Sequence, residues 1–396
     1  GSASDPAPLQ GLSKILQATL DAGTSNRSSR IIAEELQALG ADMVVGVSKD
    51  MTYLGIDGLS DSSAALLRLL SDIVRNATYP AEEVKLAIEN EIHAISANKS
   101  HATYELDKVF YQHLFGDHPY AFINPDPEVI ERIRREDLLK THRQRLRPDQ
   151  SLLVMVGNLS TEKMEKLARE QFGNWSKGEQ KMTAVPPAPN GPKPALLLVD
   201  RPRLVQSSLY VGRPLPAAGS EDEFPLEVAN TIFGGAFGSR LTMNLREDKG
   251  YSYSPHSYIL SWARGGLFRI SASVRNEVTA ATLVEIFYEL DRLAATLPEK
   301  EELARAQRYL KGSFLLDNET SPSVGATLVS YWIVGKTPGD LAKYVPGIER
   351  VEREDVRRTG KRYFASRGQT VAISGDAPAI RNQLSLFGEI TVITEQ

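Results

Sequence analysis

The sequence predicts an α+β protein of two homologous halves, each a mainly antiparallel sheet with helices packed on one face. The chain has 396 residues, which is too long for one ordinary core and suits two domains of roughly 190 residues each. A stretch rich in proline and glycine interrupts the pattern of helices and strands near the middle of the chain. A strand–glycine–helix pattern that precedes this stretch is also found after it.

Two pairs of segments indicate the duplication. Residues 153–158 and 371–376 each read as a strand that ends in glycine and leads into a helix. Residues 23–47 and 234–258 share a glycine-rich turn, a helix, a glycine and a strand. A tandem duplication of one α+β unit accounts for both pairs. The alternative is chance similarity, because strand–glycine–helix units are common.

The first half begins with a helix at residues 9–22, where Leu12, Ile15, Leu16 and Leu20 have the spacing of a helix buried on one face. The further predictions for this half are helices at 28–39, 63–76, 81–96, 102–115 and 161–172, and strands at 43–47, 52–56 and 152–156.

Five prolines between positions 186 and 194 predict an interdomain linker, which divides the chain into a half at 1–178, a linker at 179–194 and a half at 195–396. The second half predicts helices at 221–233, 240–248, 278–295 and 300–316, and strands at 195–199, 206–211, 254–261, 267–274 and, finally, 370–374.

Composition excludes several classes of function. The formal charge of −4 argues against a nucleic acid as the main partner, and no apolar run approaches the ~20 residues of a spanning helix. The absence of cysteine removes disulfides, thiolate metal sites and cysteine nucleophiles. A chain without cysteine suits an oxidising compartment such as the periplasm, although cytoplasmic proteins also share this property.

Histidines and glycines give no separate site. None of the six histidines has another at i+4 with an intervening glutamate, so no helical zinc site is visible. Gly234, Gly235 and Gly238 follow a helix rather than a strand, so a helix C-terminus leading into a tight turn explains them better than a phosphate-binding loop.

Arg246 and Tyr253 form a candidate pair. A guanidinium and a phenol brought together across the turn between them could donate hydrogen bonds to one carbonyl oxygen, or to an oxyanion that forms from it. The alternative is an arginine at a helix end paired with Glu247 or Asp248, followed by an ordinary strand tyrosine.

Motifs along almost the whole chain resemble the pitrilysin/insulinase-like zinc metallopeptidases, particularly the smaller bacterial and mitochondrial-processing-type members. They occur in the family's order and spacing: Gly11-Leu12, residues 23–28, His118-Pro119-Tyr120, residues 156–159, Gln206-Ser207, Asn230 through Gly235, Ser239-Arg240-Leu241, Leu245-Arg246-Glu247 and residues 250–253. The resemblance implies two homologous α+β halves in a clam-like enclosure. The family pattern also has some forty residues before the Gly-Ser segment that opens this sequence, so we expect a cut sequence or an incomplete first sheet.

The resemblance places the family's H-x-x-E-H motif on the first helix, where this chain has Lys14, Gln17 and Ala18. An ammonium repels Zn²⁺, an amide is no general base at neutral pH, and alanine supplies no ligand. Glu91 stands at the family's third-ligand position, and one carboxylate does not hold a catalytic zinc. We therefore expect no metal in this chain.

In active family members an arginine and a tyrosine of the second half bind the substrate backbone, and Arg246 and Tyr253 occupy those positions. The resemblance implies a subunit that is inactive alone and supplies this pair to a zinc-bearing homologous partner acting on peptides. The alternatives are a peptide-binding or structural scaffold subunit without a part in catalysis, and a self-sufficient peptidase with an unrecognised site. A homodimer of the isolated chain is also possible.

Overall fold

A computed structural model describes residues 1–178 and 184–394. The chain forms two compact units, neither of them continuous in sequence. Unit 1 comprises Gly1–Ala97, Asn124–Val185 and Asn318–Ile333, and unit 2 comprises Asn98–Ile123, Pro186–Asp317 and Val334–Gln396. The division at 178 and 195 stays a prediction that follows chain order, and residues 179–183 of the predicted linker lie outside the described residues.

Unit 1 is mainly helical. Its helices are α1 (Leu12–Thr19), α2 (Ser29–Leu39), α3 (Ser63–Asn76), α4 (Ala81–Asn98), α6 (Pro127–Ile130), α7 (Arg135–Arg145), α8 (Thr161–Phe172) and α13 (Ser321–Ile333), where α5 and α9–α12 belong to unit 2. Local signals set their ends, as in α2, where the Ser28 hydroxyl caps the first turn and Gly40 ends the helix at a φ of 57°. An antiparallel hairpin joins β1 (Asp42–Val47) to β2 (Thr52–Asp57).

The predicted strand at residues 152–156 was wrong. In the described part of the chain no strand pairs with this segment, and the sheet of unit 1 contains only β1 and β2. Leu152, Leu153 and Val156 remain 38 to 42% exposed. A short apolar run has the composition of a buried strand, but it forms a ladder only where a neighbouring strand supplies its backbone partners.

Unit 2 contains a six-stranded sheet in the order β5-β6-β4-β7-β3-β8. Its strands are β3 (Ala195–Asp200), β4 (Gln206–Leu215), β5 (His256–Trp262), β6 (Gly265–Arg275), β7 (Thr370–Gly375) and β8 (Ile390–Thr394). Pairings of β4 with β6 and β7, and of β5 with β6, are antiparallel, whereas β3 runs parallel to β7 and β8. β8, the last strand, was not predicted from the sequence.

Helices cover this sheet on both faces. The helices of unit 2 are α5 (Tyr104–Phe115), α9 (Glu223–Asn230), α10 (Arg240–Thr242), α11 (Thr279–Ala295), α12 (Lys300–Asp317), α14 (Tyr344–Glu349), α15 (Arg353–Thr359) and α16 (Ala377–Leu384). Leu209 and Val211 of β4 join the main core with α9 and α11. Tyr210, between them, points to the opposite face and contacts Phe110 of α5, with ring centroids 5.6 Å apart.

Among the described residues, no helix is both long enough and apolar enough to cross a bilayer.

Candidate functional site

Helix α1 carries the three positions where the resemblance expects zinc chemistry. Its apolar side chains Leu12, Ile15 and Leu16 are at most 2% exposed, so the helix is held by one buried face. Lys14, Gln17 and Ala18 lie on the other side, where Lys14 and Ala18 are exposed and Gln17 is half-buried. These three positions, spaced i, i+3 and i+4, therefore share one face of the helix.

Local partners satisfy the polar side chains of this face. The Lys14 Nζ lies 2.7 Å from Oε1 of Glu91 in α4, and Gln17 Nε2 donates a hydrogen bond of 3.1 Å to the carbonyl oxygen of Val45 in β1. Glu91, whose side chain is only 10% exposed, thus pairs with an ammonium at the place where the family pattern would put a metal.

Zinc does not fit this donor set. An ammonium has no lone pair, alanine has no donor, and Gln17 uses its amide N–H toward Val45. Glu91 is the one remaining carboxylate, and structural or catalytic zinc sites have at least three protein ligands. Throughout residues 1–178 and 184–394, no group of three or more histidine, cysteine, aspartate or glutamate side chains could hold a metal ion.

Three histidines that could be considered as candidate ligands form hydrogen bonds within the protein, two of them to backbone carbonyl groups and one to a phenol. The Nε2 atoms of His113 and His118 lie 3.1 and 2.9 Å from the carbonyl oxygens of Lys193 and Pro186, to which they donate. His142 is buried against the Tyr79 hydroxyl, with 2.8 Å between Nδ1 and the phenol oxygen. These histidines have structural contacts rather than a ligand-binding arrangement.

Arg246 and Tyr253, predicted as a pair, lie in contact in unit 2. The guanidinium carbon of Arg246 is 4.8 Å from the centroid of the Tyr253 ring. The Arg246 Nε also lies 3.2 Å from Oε1 of Glu247, so the alternative helix-end ion pair exists together with the tyrosine contact. The Tyr253 side chain is 81% exposed.

The segment that carries Arg246 is a π-helix, Met243–Asp248, which continues α10. The sequence predicts one helix over 240–248, and the wider turn is a local feature that is frequent at functional sites. Gly250, at a φ of 61°, then turns the chain so that the N–H of Tyr251 donates to the carbonyl oxygen of Leu245 at 2.8 Å. This turn brings Tyr253 back toward Arg246.

Charged contacts hold this segment on the helices beneath it. Asn244 Nδ2 donates to Glu285 and Glu289 of α11 at 3.0 and 3.1 Å. Arg240 forms a two-pronged ion pair with Glu302 of α12, with N–O distances of 2.7 and 2.6 Å, and the two side chains are 5% and 18% exposed. Such bidentate pairs fix geometry as well as charge.

Sequence reasoning missed Phe237. The Arg246 guanidinium carbon lies 4.8 Å from the centroid of the Phe237 ring, and this phenylalanine is 66% exposed. It stands in the loop after a second π-helix, Thr231–Gly235. In that helix a Cβ on Gly234 would lie 2.5 Å from the Ser257 hydroxyl oxygen, so the close approach of this helix to β5 requires glycine.

Comparisons with known proteins place these features in one family. Residues 1–117 match the insulinase family (peptidase family M16), and residues 132–310 match the peptidase M16 inactive domain. An uncharacterized zinc protease of Mycobacterium tuberculosis is 27% identical over 396 residues, covering 95% of this chain and 86% of the relative. One from Rickettsia bellii is 25% identical over 375 residues, covering 92% and 87%.

Solved structures share the fold. A peptidase M16 inactive domain from Pseudomonas fluorescens has a TM-score of 0.87 at 23% identity and covers 94% of this chain and 90% of that chain. A protease from Helicobacter pylori has a TM-score of 0.86 at 17% identity, covering 94% and 91%. The periplasmic protease PqqL from Escherichia coli has a TM-score of 0.79 at 16% identity and covers 94% of this chain and 41% of that chain.

The two family matches together span well over half of the chain and agree with the motifs found in the sequence. This chain belongs to the pitrilysin/insulinase-like metallopeptidase family, as a member without zinc ligands on its α1 helix.

Proposed function

We propose that this chain is the zinc-less subunit of a heterodimeric zinc metallopeptidase, in which Arg246 and Tyr253 bind a carbonyl group of the peptide substrate at the zinc site of a homologous partner. At these positions the chain supplies neither zinc ligands nor a general base, because the Lys14 ammonium, the Gln17 amide and Ala18 neither bind zinc nor accept a proton at neutral pH. The partner provides both.

One observation carries this proposal. The Arg246 guanidinium carbon lies 4.8 Å from the centroid of the Tyr253 ring, and both side chains reach solvent, with 31% of Arg246 and 81% of Tyr253 exposed. Both groups are donors. Adjacent donors that are accessible to solvent are suited to an oxygen acceptor that comes from a ligand.

A peptide carbonyl is the acceptor that fits this arrangement. Hydrolysis of a peptide bond builds negative charge on the carbonyl oxygen, and hydrogen-bond donors already in position stabilise that charge more than they stabilise the neutral carbonyl. The ion pair with Glu247 uses Nε of Arg246 and leaves the outer nitrogens for the substrate. Removing one donor of this kind typically lowers kcat by about 100- to 1,000-fold.

The relatives support a role in proteolysis, since the mycobacterial and rickettsial proteins are named zinc proteases. Their names say nothing of a second subunit. The proposal of a partner subunit therefore rests on two features together: zinc ligands are missing from α1, and the Arg246–Tyr253 pair is present. We also propose a periplasmic location, which the cysteine-free composition and the similarity to a periplasmic protease favour.

Complementation tests this function. The chain is purified together with the homologous chain from the same genome that carries an intact H-x-x-E-H helix, and cleavage of a quenched fluorogenic peptide is measured. We expect Arg246→Ala and Tyr253→Phe each to lower kcat at least about 100-fold without dissociating the complex. Matched controls are Arg381→Ala and Tyr288→Phe, which change an exposed arginine and an exposed tyrosine of unit 2.

Unchanged turnover in the Arg246 and Tyr253 variants would refute the catalytic role. If such variants also kept a stable complex, the chain would be a scaffold subunit instead.

A further inference from the structure

Phe237 is an exposed aromatic residue with a specific partner. Single exposed apolar side chains are ordinary on protein surfaces, but the ring of Phe237 lies under the guanidinium of Arg246 at 4.8 Å while 66% of the side chain remains accessible. One part of the ring therefore contacts the arginine, and the larger part faces solvent.

Arg246 lies over two rings at the same distance, Phe237 and Tyr253. The guanidinium therefore contacts two aromatic side chains that approach it from separate segments of the chain. Because the N–H groups of an arginine lie in the guanidinium plane, contact of the guanidinium with an aromatic ring leaves them able to donate hydrogen bonds at its edge. The two rings together restrict how Arg246 can present its outer nitrogens.

We propose that Phe237 is a positioning and specificity residue of the Arg246–Tyr253 site: its ring orients the guanidinium, and its exposed part forms an apolar subsite for a large apolar or aromatic side chain on the residue whose carbonyl is bound. This inference rests on the proposed function and names the class of peptide that the site prefers.

Covalent geometry brings that side chain within reach. A carbonyl oxygen bound to the outer nitrogens of Arg246 lies about 2.9 Å from them, and the Cβ of the same residue is about 2.5 Å from its carbonyl carbon. A side chain of the size of leucine or phenylalanine then extends to a ring that is 4.8 Å from the guanidinium carbon. Of the two rings, Phe237 has no polar group and is the better apolar contact.

The positioning role is tested by NMR of the whole chain labelled with ¹⁵N-arginine. The Nε–Hε signal of Arg246, assigned with Arg246→Lys, senses the ring current of Phe237. We expect Phe237→Leu to move this signal and to speed rotation of the guanidinium, whereas Leu386→Ser, a change at an exposed apolar residue of unit 2, leaves both unchanged. An unmoved Arg246 signal in Phe237→Leu would overturn the positioning role.

The subsite is tested by titrating the same sample with two capped peptides, Ala-Ala-Phe-Ala-Ala and Ala-Ala-Gly-Ala-Ala. We expect the phenylalanine peptide to shift the Arg246 signal at roughly ten-fold lower concentration, the discrimination typical of an apolar pocket. Phe237→Ser should abolish that preference, and Phe237→Leu should keep most of it. A preference that survives Phe237→Ser, or no response to either peptide, would refute the subsite.

These outcomes are separable from failure of the proposed function. Complementation with Arg246→Ala measures turnover in the complex, whereas the titrations measure binding by the chain alone. If turnover depends on Arg246 and Tyr253 but Phe237→Ser changes neither the signal nor the preference, only the inference about Phe237 fails. If binding depends on Phe237 but turnover ignores Arg246, only the catalytic role fails.

Discussion

The ion pair of Lys14 with Glu91 allows a quantitative test of how the α1 face is stabilised. Glu91 is nearly buried, with 10% of its side chain exposed, whereas Lys14 is 52% exposed, and the charged atoms are 2.7 Å apart. At an effective dielectric constant of 20, two unit charges at this distance attract by roughly 6 kcal/mol. Desolvation of the carboxylate and screening at the half-exposed lysine offset most of that attraction.

We therefore expect Lys14→Ala to lower the free energy of unfolding by about 1.5 kcal/mol. This value lies above the ~0.2–1 kcal/mol of exposed pairs and below the ~3–5 kcal/mol lost when one partner of a fully buried pair is removed. For a unit of this size the change corresponds to a Tm lower by about 3–6 °C. The reason is that the Glu91 carboxylate would remain in a poorly hydrated position without its counter-charge.

Calorimetry gives the Tm, and hydrogen exchange at the amides of α1 and α4 assigns the loss to unit 1. A double-mutant cycle with Glu91→Gln should give a coupling energy of about 1 kcal/mol. Arg30→Ala is the matched control, because Arg30 and Glu34 form an exposed pair with side chains 76% and 57% accessible, and it should cost less than about 0.5 kcal/mol. If Lys14→Ala cost no more than Arg30→Ala, the idea that the lysine stabilises Glu91 would be wrong.

Three further changes have defined outcomes. Arg240→Ala should lower the free energy of unfolding, measured with urea, by about 3 kcal/mol, because it leaves Glu302 unpaired. The control Arg308→Ala removes an exposed ion pair and should lower it by less than about 1 kcal/mol. Equal losses in the two variants would contradict the account. Burial lowers the pKa of His142 from 6.5 to about 4, so the unfolded chain binds more protons than the folded chain between these pH values. The free energy of unfolding should therefore fall by up to about 3 kcal/mol as the pH drops from 6.5 to 4. His142→Asn should flatten this part of the plot of stability against pH, and an unchanged plot would refute the assignment to His142. Restoring H-x-x-E-H at positions 14–18 should create zinc binding, measured by calorimetric titration, that is lost again with Glu91→Gln; binding that ignores Glu91 would place the metal elsewhere.

Local signals explain which elements were predictable. The helices Ser63–Asn76 and Thr161–Phe172 match their predicted ranges because apolar periodicity and end residues lie within the segment itself. The strand predicted at 152–156 was wrong because a strand depends on neighbours elsewhere in the chain. The π-helices differ from the predicted α-helices in that each backbone hydrogen bond spans one more residue, a difference that periodicity over so few residues does not distinguish.

The candidate site was predictable to the extent that it follows motifs. The loss of ligands at Lys14 follows directly from the sequence, but its contact with Glu91 joins residues 77 apart in the chain and needs the tertiary fold. Phe237 had no periodic or motif signal, because its role depends on a loop that returns to Arg246. Its place in the glycine-rich loop near a candidate arginine was the one available hint.

Zinc analysis of the purified chain alone tests the central claim most directly. After incubation with excess zinc and removal of the free metal, plasma mass spectrometry should find far less than one zinc per chain, because Lys14, Gln17 and Ala18 supply no ligands and Glu91 is paired. One zinc per chain, held after dialysis and lost with Glu91→Gln, would contradict the account.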